Sequence, residues 1–311
     1  MEDIALIIST TLMYATPLIF AALGGVFSEN SGIVNIGIEG MMTIGAFAGA
    51  AAGAITGNPW LAFVIGGLAG GVFAAIHALA TVTFNADHTI SGVAINLLAP
   101  GIALFTSKIL FDGATNTPPI PIENKIPRPL NGVFEQGSIL DTIFNTYATV
   151  YIAFILVFVV WYALYKTKFG LRVRAVGEHP GAADTLGISV SKVRYSAVII
   201  SGILAGLGGA SMSLAVVSAF RPTLISGQGY IAIAAVIFGK WRPQWAMVAC
   251  LLFGFSTALS VYFGNPKLPI QINENLLSMI PYIVTLVVLV LFVKSSKAPA
   301  ALGNSYKKGE R

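Results

Sequence analysis

The sequence predicts an all-α fold, a polytopic transmembrane helical bundle with about nine membrane segments. Hydrophobic residues make up 56% of the 311 positions and charged residues only 10%, whereas soluble proteins carry about 25% charged residues. The mean hydropathy of +0.81 also excludes a disordered chain, because disorder requires low hydrophobicity. The third observation is a series of long runs without Asp, Glu, Lys or Arg, since about 20 apolar residues in a helix cross a hydrocarbon core of about 30 Å.

Eight such runs define the membrane segments in order along the chain. They cover residues 4–28, 40–86, 88–107, 142–165, 195–220, 222–239, 243–266 and 275–293. The second run is long enough for two helices, and the sequence Thr56-Gly57-Asn58-Pro59 predicts a turn that divides it, which brings the number of segments to nine. Segment 224–240 is short and contains Ser226-Gly227-Gln228-Gly229 near its start, so we expect a half-spanning or re-entrant helix there, surrounded by protein rather than lipid.

The basic residues predict the orientation of these segments. If residues 167–194 are cytoplasmic, alternation of the segments places 13 of the 18 Lys and Arg on the cytoplasmic side, as the positive-inside rule requires. The carboxyl terminus is then cytoplasmic and the acidic amino terminus is external. The first apolar run lacks the basic flank and the small-residue exit of a cleaved signal, so we expect it to be retained as a helix.

Two long connections interrupt the apolar body. Residues 1–295 are interpreted as the transmembrane domain and residues 296–311 as a cytoplasmic basic tail. The external connection 111–141 contains five prolines and predicts an irregular cap over the external mouth. The cytoplasmic connection 167–194 is charged, and loops of this length in a compact protein are usually functional or disordered.

A short helix is predicted inside the cytoplasmic connection. Pro180 suits the first position of a helix and Gly187 suits the residue just past its end. The helix between them has fewer than two turns, which is marginal in water unless other structure or a partner holds it. It can dock into a groove on another protein, or the segment can be a solvated loop whose Lys and Arg only set the topology. The spacing of the residues leaves both interpretations open.

The same connection carries a family resemblance. Residues 170–183 and the following Gly187-Ile188 resemble the cytoplasmic loop of the ABC importer permeases that serve ribose and other simple sugars, nucleosides and branched-chain amino acids. His179 stands where that family often has Asn. The resemblance implies that the loop contains the coupling helix that contacts the ATPase, and that coupling involves Arg174, Gly177, Glu178, Pro180, Ala182, Ala183 and Gly187.

A second stretch, residues 30–42 with the sequence Asn-Ser-Gly-Ile-Val-Asn-Ile-Gly-Ile-Glu-Gly-Met-Met, is similar to the nucleoside and simple-sugar branch. It implies the translocating permease subunit of a nucleoside importer in a bacterial plasma (inner) membrane, working by alternating access. The implied partners are a cytoplasmic ABC ATPase, a second homologous permease subunit, and an extracellular or periplasmic substrate-binding protein or lipoprotein. The chain has no G-x-x-x-x-G-K-[ST] phosphate loop, so we expect the partner subunits to use ATP and this chain to hold no cofactor.

Other kinds of chemistry are disfavoured because polar side chains are scarce. Three distant histidines and one cysteine offer no metal-ligand spacing and no nucleophile beside a base, so we do not expect an enzyme. The 18 Lys and Arg make no basic face on so apolar a chain, which argues against nucleic acid as a partner. Membrane lipid is the expected surrounding.

Polar side chains within the membrane segments are costly in lipid and therefore indicate a cavity or a partner. Glu39 has two interpretations, a pathway or gate residue and a structural carboxylate bonded to backbone or to a helix end. Asn96 suits a hydroxyl or nucleobase edge, or an interhelical hydrogen bond, and Tyr230 suits base stacking or an interfacial anchor. The candidates for the substrate pathway are Glu39, Asn96, Gln228, Tyr230 and Phe220.

The sequence contains three weaker patterns. Glycines at 66–67, 70–71, 202, 206 and 208–209 predict close helix packing. Residues 37–45 and 229–239 are faintly alike, which indicates related segments of the kind found at transporter sites. Trp241 and Trp245 lie beside Lys240 and Arg242 and predict an interfacial belt.

Three alternatives to a nucleoside importer stay open at this point. The first is a permease for simple sugars or branched-chain amino acids, which competition for uptake would distinguish. The second is an ion-coupled secondary transporter that uses Glu39 or His77 and works without an ATPase. The third is a membrane scaffold without transport, for which glycine-rich packing would suffice.

Overall fold

The computed structural model describes residues 2–265, 274–292 and 297–307, and the regular structure of these residues is entirely helical. Short π-helical turns at Leu79–Thr83 and Met212–Val216 extend the third and ninth α-helices. The α-helices of the described residues are α1 Glu2–Asn30, α2 Ile38–Thr56, α3 Pro59–Ala78, α4 His88–Leu110, α5 Ile139–Phe144, α6 Ala148–Lys166, α7 Lys168–Glu178, α8 Pro180–Thr185, α9 Val190–Ser211, α10 Gln228–Phe238, α11 Pro243–Phe263 and α12 Glu274–Phe292.

Seven helices of the described residues are long and apolar enough to cross a membrane, namely α1, α2, α3, α4, α6, α9 and α11. The prediction of a polytopic helical membrane protein is confirmed. Helices α10 and α12 occupy the two remaining predicted segments. The number of full crossings stays a prediction, because α10 has only 11 residues and is therefore about 16 Å long, roughly half of a hydrocarbon core.

The turn predicted between α2 and α3 lies where the sequence places it. Gly57 has φ +66°, and the Asn58 side chain accepts hydrogen bonds from the backbone N–H groups of Trp60 and Leu61. Asp87 begins α4 in the same way, by accepting from Thr89 and Ile90. These bonds, the one from Ile90 foremost, lower the pKa of Asp87 below its usual value. Local capping chemistry therefore fixes the starts of both helices.

Helix α9 lies at the centre of the bundle, where it packs against α1, α2 and α3. In the 18-residue apolar stretch of α9, 78% of the residues are buried, compared with 22% in the corresponding stretch of the peripheral helix α4. Glycines bring the backbones together: a Cβ atom added to Gly70 would lie 2.3 Å from the Gly202 oxygen, and one added to Gly206 would lie 2.4 Å from the Gly66 oxygen. The prediction of close packing through glycine is confirmed, and these helices meet by backbone contact.

Gly209→Ala is expected to destabilise the protein by about 1–3 kcal/mol, the usual cost of overpacking. The added Cβ would lie 1.9 Å from the backbone oxygen of Met42, and neither helix can yield without disturbing the core. Gly101→Ala is the matched control, because a Cβ at this position in α4 meets nothing within 4 Å. Thermal unfolding in detergent measures both variants, and equal midpoints would contradict the packing argument.

Residues 111–147, the cap, connect α4 to α6. They contain a 3₁₀ turn at Ile122–Asn124 and the short helix α5, so α6 begins at Ala148, six residues later than the apolar run suggests. The Ile120 N–H donates to the Ser218 oxygen at 2.8 Å, and the Thr117 N–H donates to the Phe220 oxygen at 3.2 Å. The cap is thereby attached to the chain that follows α9.

Residues 167–194 contain more helix than the sequence indicates. Besides α8 they include α7 and the first turn of α9. Two glycines and two β-branched valines give α7 a low helical propensity, but Val173 and Val176 are fully buried, so packing stabilises it. Part of the basic tail is docked nearby, since the Ala301 N–H donates to the Gly177 oxygen at 2.8 Å and the Gly303 N–H donates to the Gly32 oxygen at 3.0 Å.

Candidate functional site

Two helix amino termini meet at the candidate pathway. Helix α2 begins after the non-helical residues 31–37, and α10 begins after the non-helical residues 217–227. A Cβ atom on Gly229 would lie 2.5 Å from the Glu39 Cα atom, so glycine is what permits this approach. The similarity of residues 37–45 and 229–239 falls on these two helices. Interrupted helices whose amino termini face one point are typical of transporter binding sites.

Glu39 caps α10. Its Oε1 atom accepts a hydrogen bond from the Gly227 N–H at 2.6 Å, and its Oε2 atom accepts one from the Gly229 N–H at 2.7 Å. The first N–H groups of a helix lack partners within the helix, and a negative charge is favoured there by the helix dipole. The contacts of Glu39 are thus those of a structural carboxylate at a helix end, and its part in a substrate pathway stays a prediction.

Asn96 joins three elements beside this cap. Its Oδ1 atom accepts from the Gly40 N–H at 2.8 Å, and its Nδ2 atom donates to the Ile36 oxygen and to the Tyr230 hydroxyl, both at 3.0 Å. These bonds connect α4 to the start of α2 and to α10. Asn96 therefore makes the interhelical hydrogen bonds that were one of its two interpretations.

Gln228 and Tyr230 are the groups that the cluster leaves available. The Gln228 side chain is half-buried and makes no hydrogen bond with residues that the structure describes. Tyr230 is 48% exposed, and its hydroxyl accepts the hydrogen bond from the Asn96 amide. We refer to Glu39, Asn96, Gln228 and Tyr230 as the α10 cluster.

Phe220 has other partners. It is buried, with its ring 5.3 Å from the Phe47 ring at an interplanar angle of 71°. Its backbone pairs with Thr117 of the cap, whose hydroxyl accepts from the Phe220 N–H at 2.9 Å. These contacts are those of a packing residue, and nothing in them brings Phe220 to the α10 cluster.

The short helix predicted within residues 167–194 is confirmed. Helix α8 begins at Pro180 and ends at Thr185, and Gly187 has φ +79°. Ala183 is buried and fixes the helix to its surroundings, whereas Ala182 is exposed. Leu186, just past the helix, is 81% exposed. Leu186 is not among the residues predicted for coupling, although an exposed apolar residue next to the glycine that ends a helix in a charged loop indicates a contact surface.

Two other predicted coupling residues have partners inside the chain. The Arg174 Nε atom donates to the Leu164 oxygen at 3.1 Å, and the guanidinium lies 4.8 Å from the centre of the Tyr165 ring. Arg174 therefore caps the carboxyl end of α6. The Glu178 Oε2 atom accepts from the Ala300 N–H of the tail at 3.3 Å, so Glu178 holds the tail.

The tail also contacts α8. Desolvation, together with a hydrogen bond to the Asp184 carboxylate, raises the pKa of the Tyr306 hydroxyl above its ordinary value. This contact lies outside the membrane-spanning helices, on the same side as α7 and α8.

The end of α1 forms a buried junction that the sequence analysis did not find. Trp241 is only 7% exposed, and its Nε1 atom donates to the Glu29 carboxylate. The Asn30 Nδ2 atom donates to the Trp241 oxygen at 3.1 Å. The interpretation of Trp241 as an interfacial belt residue is wrong, because its indole is enclosed and paired, whereas Trp245 is 59% exposed.

Comparison with known proteins gives a consistent picture. The family model described as the permease component of branched-chain amino acid transport systems matches residues 7–291. The chain is 45% identical over 319 residues to the guanosine ABC transporter permease protein NupQ of Bacillus subtilis (strain 168), covering 100% of this chain and 99% of the relative. It is 41% identical over 317 residues to the nucleoside ABC transporter permease protein NupC of Lactococcus lactis subsp. cremoris (strain MG1363), covering 99% of each. A second guanosine ABC transporter permease protein of Bacillus subtilis (strain 168), NupP, is 28% identical over 316 residues, covering 97% of this chain and 85% of the relative.

Proposed function

The chain belongs to the family of branched-chain amino acid transport system permease components, and from that membership we propose that it translocates nucleosides as the membrane-spanning subunit of an ABC importer. It is a transport component rather than an enzyme. The observation that carries the choice of substrate is the full-length similarity, at 45% and 41% identity, to permeases named for guanosine and for nucleosides.

The α10 cluster suits a neutral polar ligand. A helix amino terminus attracts anions, but here the Gly227 and Gly229 N–H groups are already bonded to Glu39. The Gln228 amide, which makes no hydrogen bond within the described part of the chain, and the half-exposed Tyr230 side chain are left for the ligand, and they match the edge and the face of a nucleobase. A nucleoside has both features and no charge.

The energy comes from partner subunits in this proposal. A cytoplasmic ABC ATPase binds α8, and its cycle of ATP binding and hydrolysis moves that helix and rocks the membrane helices between outward-open and inward-open states. A substrate-binding protein or lipoprotein delivers the nucleoside at the cap. In this orientation the carboxyl terminus lies in the cytoplasm, in agreement with the excess of basic residues on that side. The membrane in this proposal is the plasma membrane of a bacterium.

A second, homologous permease subunit completes the pathway. Tyr230 and most of α4 are exposed on this chain, so the α10 cluster lies at the margin of the bundle and not inside a closed cavity. A facing subunit would enclose it. Since one organism has two permease proteins named for guanosine transport, we propose a different polypeptide rather than a second copy.

The family description favours one alternative, transport of branched-chain amino acids. An amino acid carries a carboxylate that must be neutralised in a low-dielectric site, and the helix N–H groups that could receive it are occupied by Glu39. Simple sugars, the other substrates of the resembled family, are neutral and are separated from nucleosides only by the test below. An ion-coupled transporter would need a free titratable group, whereas His77 is fully buried between Ser91 and Val34.

Uptake by the reconstituted complex tests the proposal. The permease, its copurifying subunits and the binding protein are placed in proteoliposomes with ATP inside, and labelled guanosine uptake is measured with excess unlabelled nucleoside, ribose or leucine. We expect competition by nucleosides only. Competition by ribose or leucine would reassign the substrate, and uptake by this chain alone under an ion gradient would overturn the importer assignment.

A further inference from the structure

Helix α10 is tied at both ends to segments that flank the α1–α2 connection. At its amino end, the Gly227 and Gly229 N–H groups are bonded to Glu39. At its carboxyl end, the turn at Trp241 is bonded to Glu29 and Asn30, the last two residues of α1. The helix has 11 residues and no internal proline, so it can move as one rigid piece about 16 Å long.

The turn after α10 holds an uncommon backbone conformation. Lys240 and Trp241 have φ values of +51° and +55°, in the left-handed region that residues with a Cβ atom rarely adopt. Such residues persist only where surrounding contacts enforce them. Here the Trp241 indole is bonded to Glu29 and its carbonyl to Asn30, which fixes the turn, and with it the end of α10, to α1.

The coupling segment reaches the same end of α1. A Cβ atom on Gly177, at the end of α7, would lie 2.1 Å from the Asn30 oxygen and 3.3 Å from the Gly32 nitrogen. The Arg194 guanidinium, buried at the base of α9, donates to the Ser31 oxygen at 3.2 Å. The backbone of α7 therefore presses directly on the residue whose side chain holds Trp241.

We propose that the contact of Trp241 with Glu29 and Asn30 is a mechanical joint, through which displacement of α7 and α8 is passed along α10 to the α10 cluster. Glu29, Asn30 and Trp241 are positioning residues that touch neither substrate nor nucleotide. The inference rests on the proposed importer function for the source of the displacement. In it, movement of α10 makes or breaks the hydrogen bonds between Glu39 and the amino end of α10. Coupling between the two ends of this chain of contacts is the quantity that distinguishes a joint from a static contact.

The first experiment measures nucleoside uptake per ATP hydrolysed in the assembled transporter. Trp241→Phe keeps the aromatic bulk but removes the N–H donor to Glu29, and we expect the ratio to fall about tenfold with the apparent KM for substrate unchanged. Trp245→Phe is the matched control, because Trp245 is 59% exposed, and its ratio should equal that of the wild type. Glu29→Gln retains an acceptor oxygen and should preserve coupling, whereas Glu29→Leu should match Trp241→Phe, and the double variant should be no worse than either.

A second readout does not depend on the identity of the substrate. The single cysteine, Cys250, is fully buried, so a cysteine introduced as Tyr230→Cys can be labelled selectively with a maleimide. We expect ATP with vanadate to change the labelling rate of Tyr230→Cys when Trp241 is present. In the variant that also carries Trp241→Phe, we expect the labelling rate to stay unchanged, while the thermal unfolding midpoints of the two proteins are equal. A nucleotide-dependent change that survives Trp241→Phe, or an uptake ratio equal to that of Trp245→Phe, would overturn the joint. Absence of nucleoside uptake by the wild type would count against the proposed function, while the labelling experiment would still decide the inference.

Discussion

Glu39→Leu is expected to reduce substrate uptake by about tenfold or more. The substitution leaves the Gly227 and Gly229 N–H groups without their acceptor, and each unsatisfied buried group costs about 1–3 kcal/mol. The amino end of α10 must then shift to find another partner or water. Because Gln228 and Tyr230 lie on this first turn, their positions shift with it, and the site loses its geometry. Initial uptake rates in proteoliposomes, with copurified ATPase as the measure of assembly, provide the test.

Glu39→Gln distinguishes a cap from a titrating group. A glutamine at this position keeps one acceptor oxygen for the α10 N–H groups but cannot exchange a proton. A capping role therefore predicts uptake between those of the wild type and Glu39→Leu, with no change in its pH dependence. If Glu39 were the coupling group of an ion-driven transporter, Glu39→Gln would be as inactive as Glu39→Leu. Wild-type uptake in Glu39→Leu would remove Glu39 from the site.

The fold was predictable because a segment that crosses lipid must be both apolar and helical. The apolar runs, the Thr56–Pro59 turn and the Gly-rich start of α10 all reflect local requirements of helices in a membrane, and the structure places helices in each of those runs. Helix α7 was missed because its propensity is low and two buried valines stabilise it. Tertiary packing overrode the local signal there.

The partners of the site residues were less predictable than the residues themselves. Glu39, Asn96 and Tyr230 could be chosen because polar side chains in apolar segments need a reason. Their contacts, however, join positions as far apart as 190 residues, and no periodicity in one sequence reports such a pairing. The same limit hid the junction of Glu29 with Trp241, since an indole beside basic residues is equally typical of a membrane interface.

Leu186→Asp is expected to reduce both substrate-stimulated ATP hydrolysis and uptake by about tenfold or more, together with the amount of ATPase that copurifies. Leu186 is 81% exposed, so the substitution should change the stability of the isolated permease by no more than about 0.5 kcal/mol. Its effect must therefore arise in a partner. If α8 docks in a groove, an aspartate there places an unpaired carboxylate in a desolvated contact, which is far more costly than the loss of one apolar side chain.

Leu186→Met is the matched control for this variant, because methionine preserves the apolar character and the approximate volume of the side chain. We expect it to support normal hydrolysis, uptake and copurification. Normal function in Leu186→Asp would mean that the exposed end of α8 faces water in the working complex, and the assignment of this helix as the ATPase contact would be lost. Loss of function in both variants would indicate instead that the docking site requires the shape of leucine itself. The two variants therefore distinguish a docking site that excludes charge from one that requires a close steric fit.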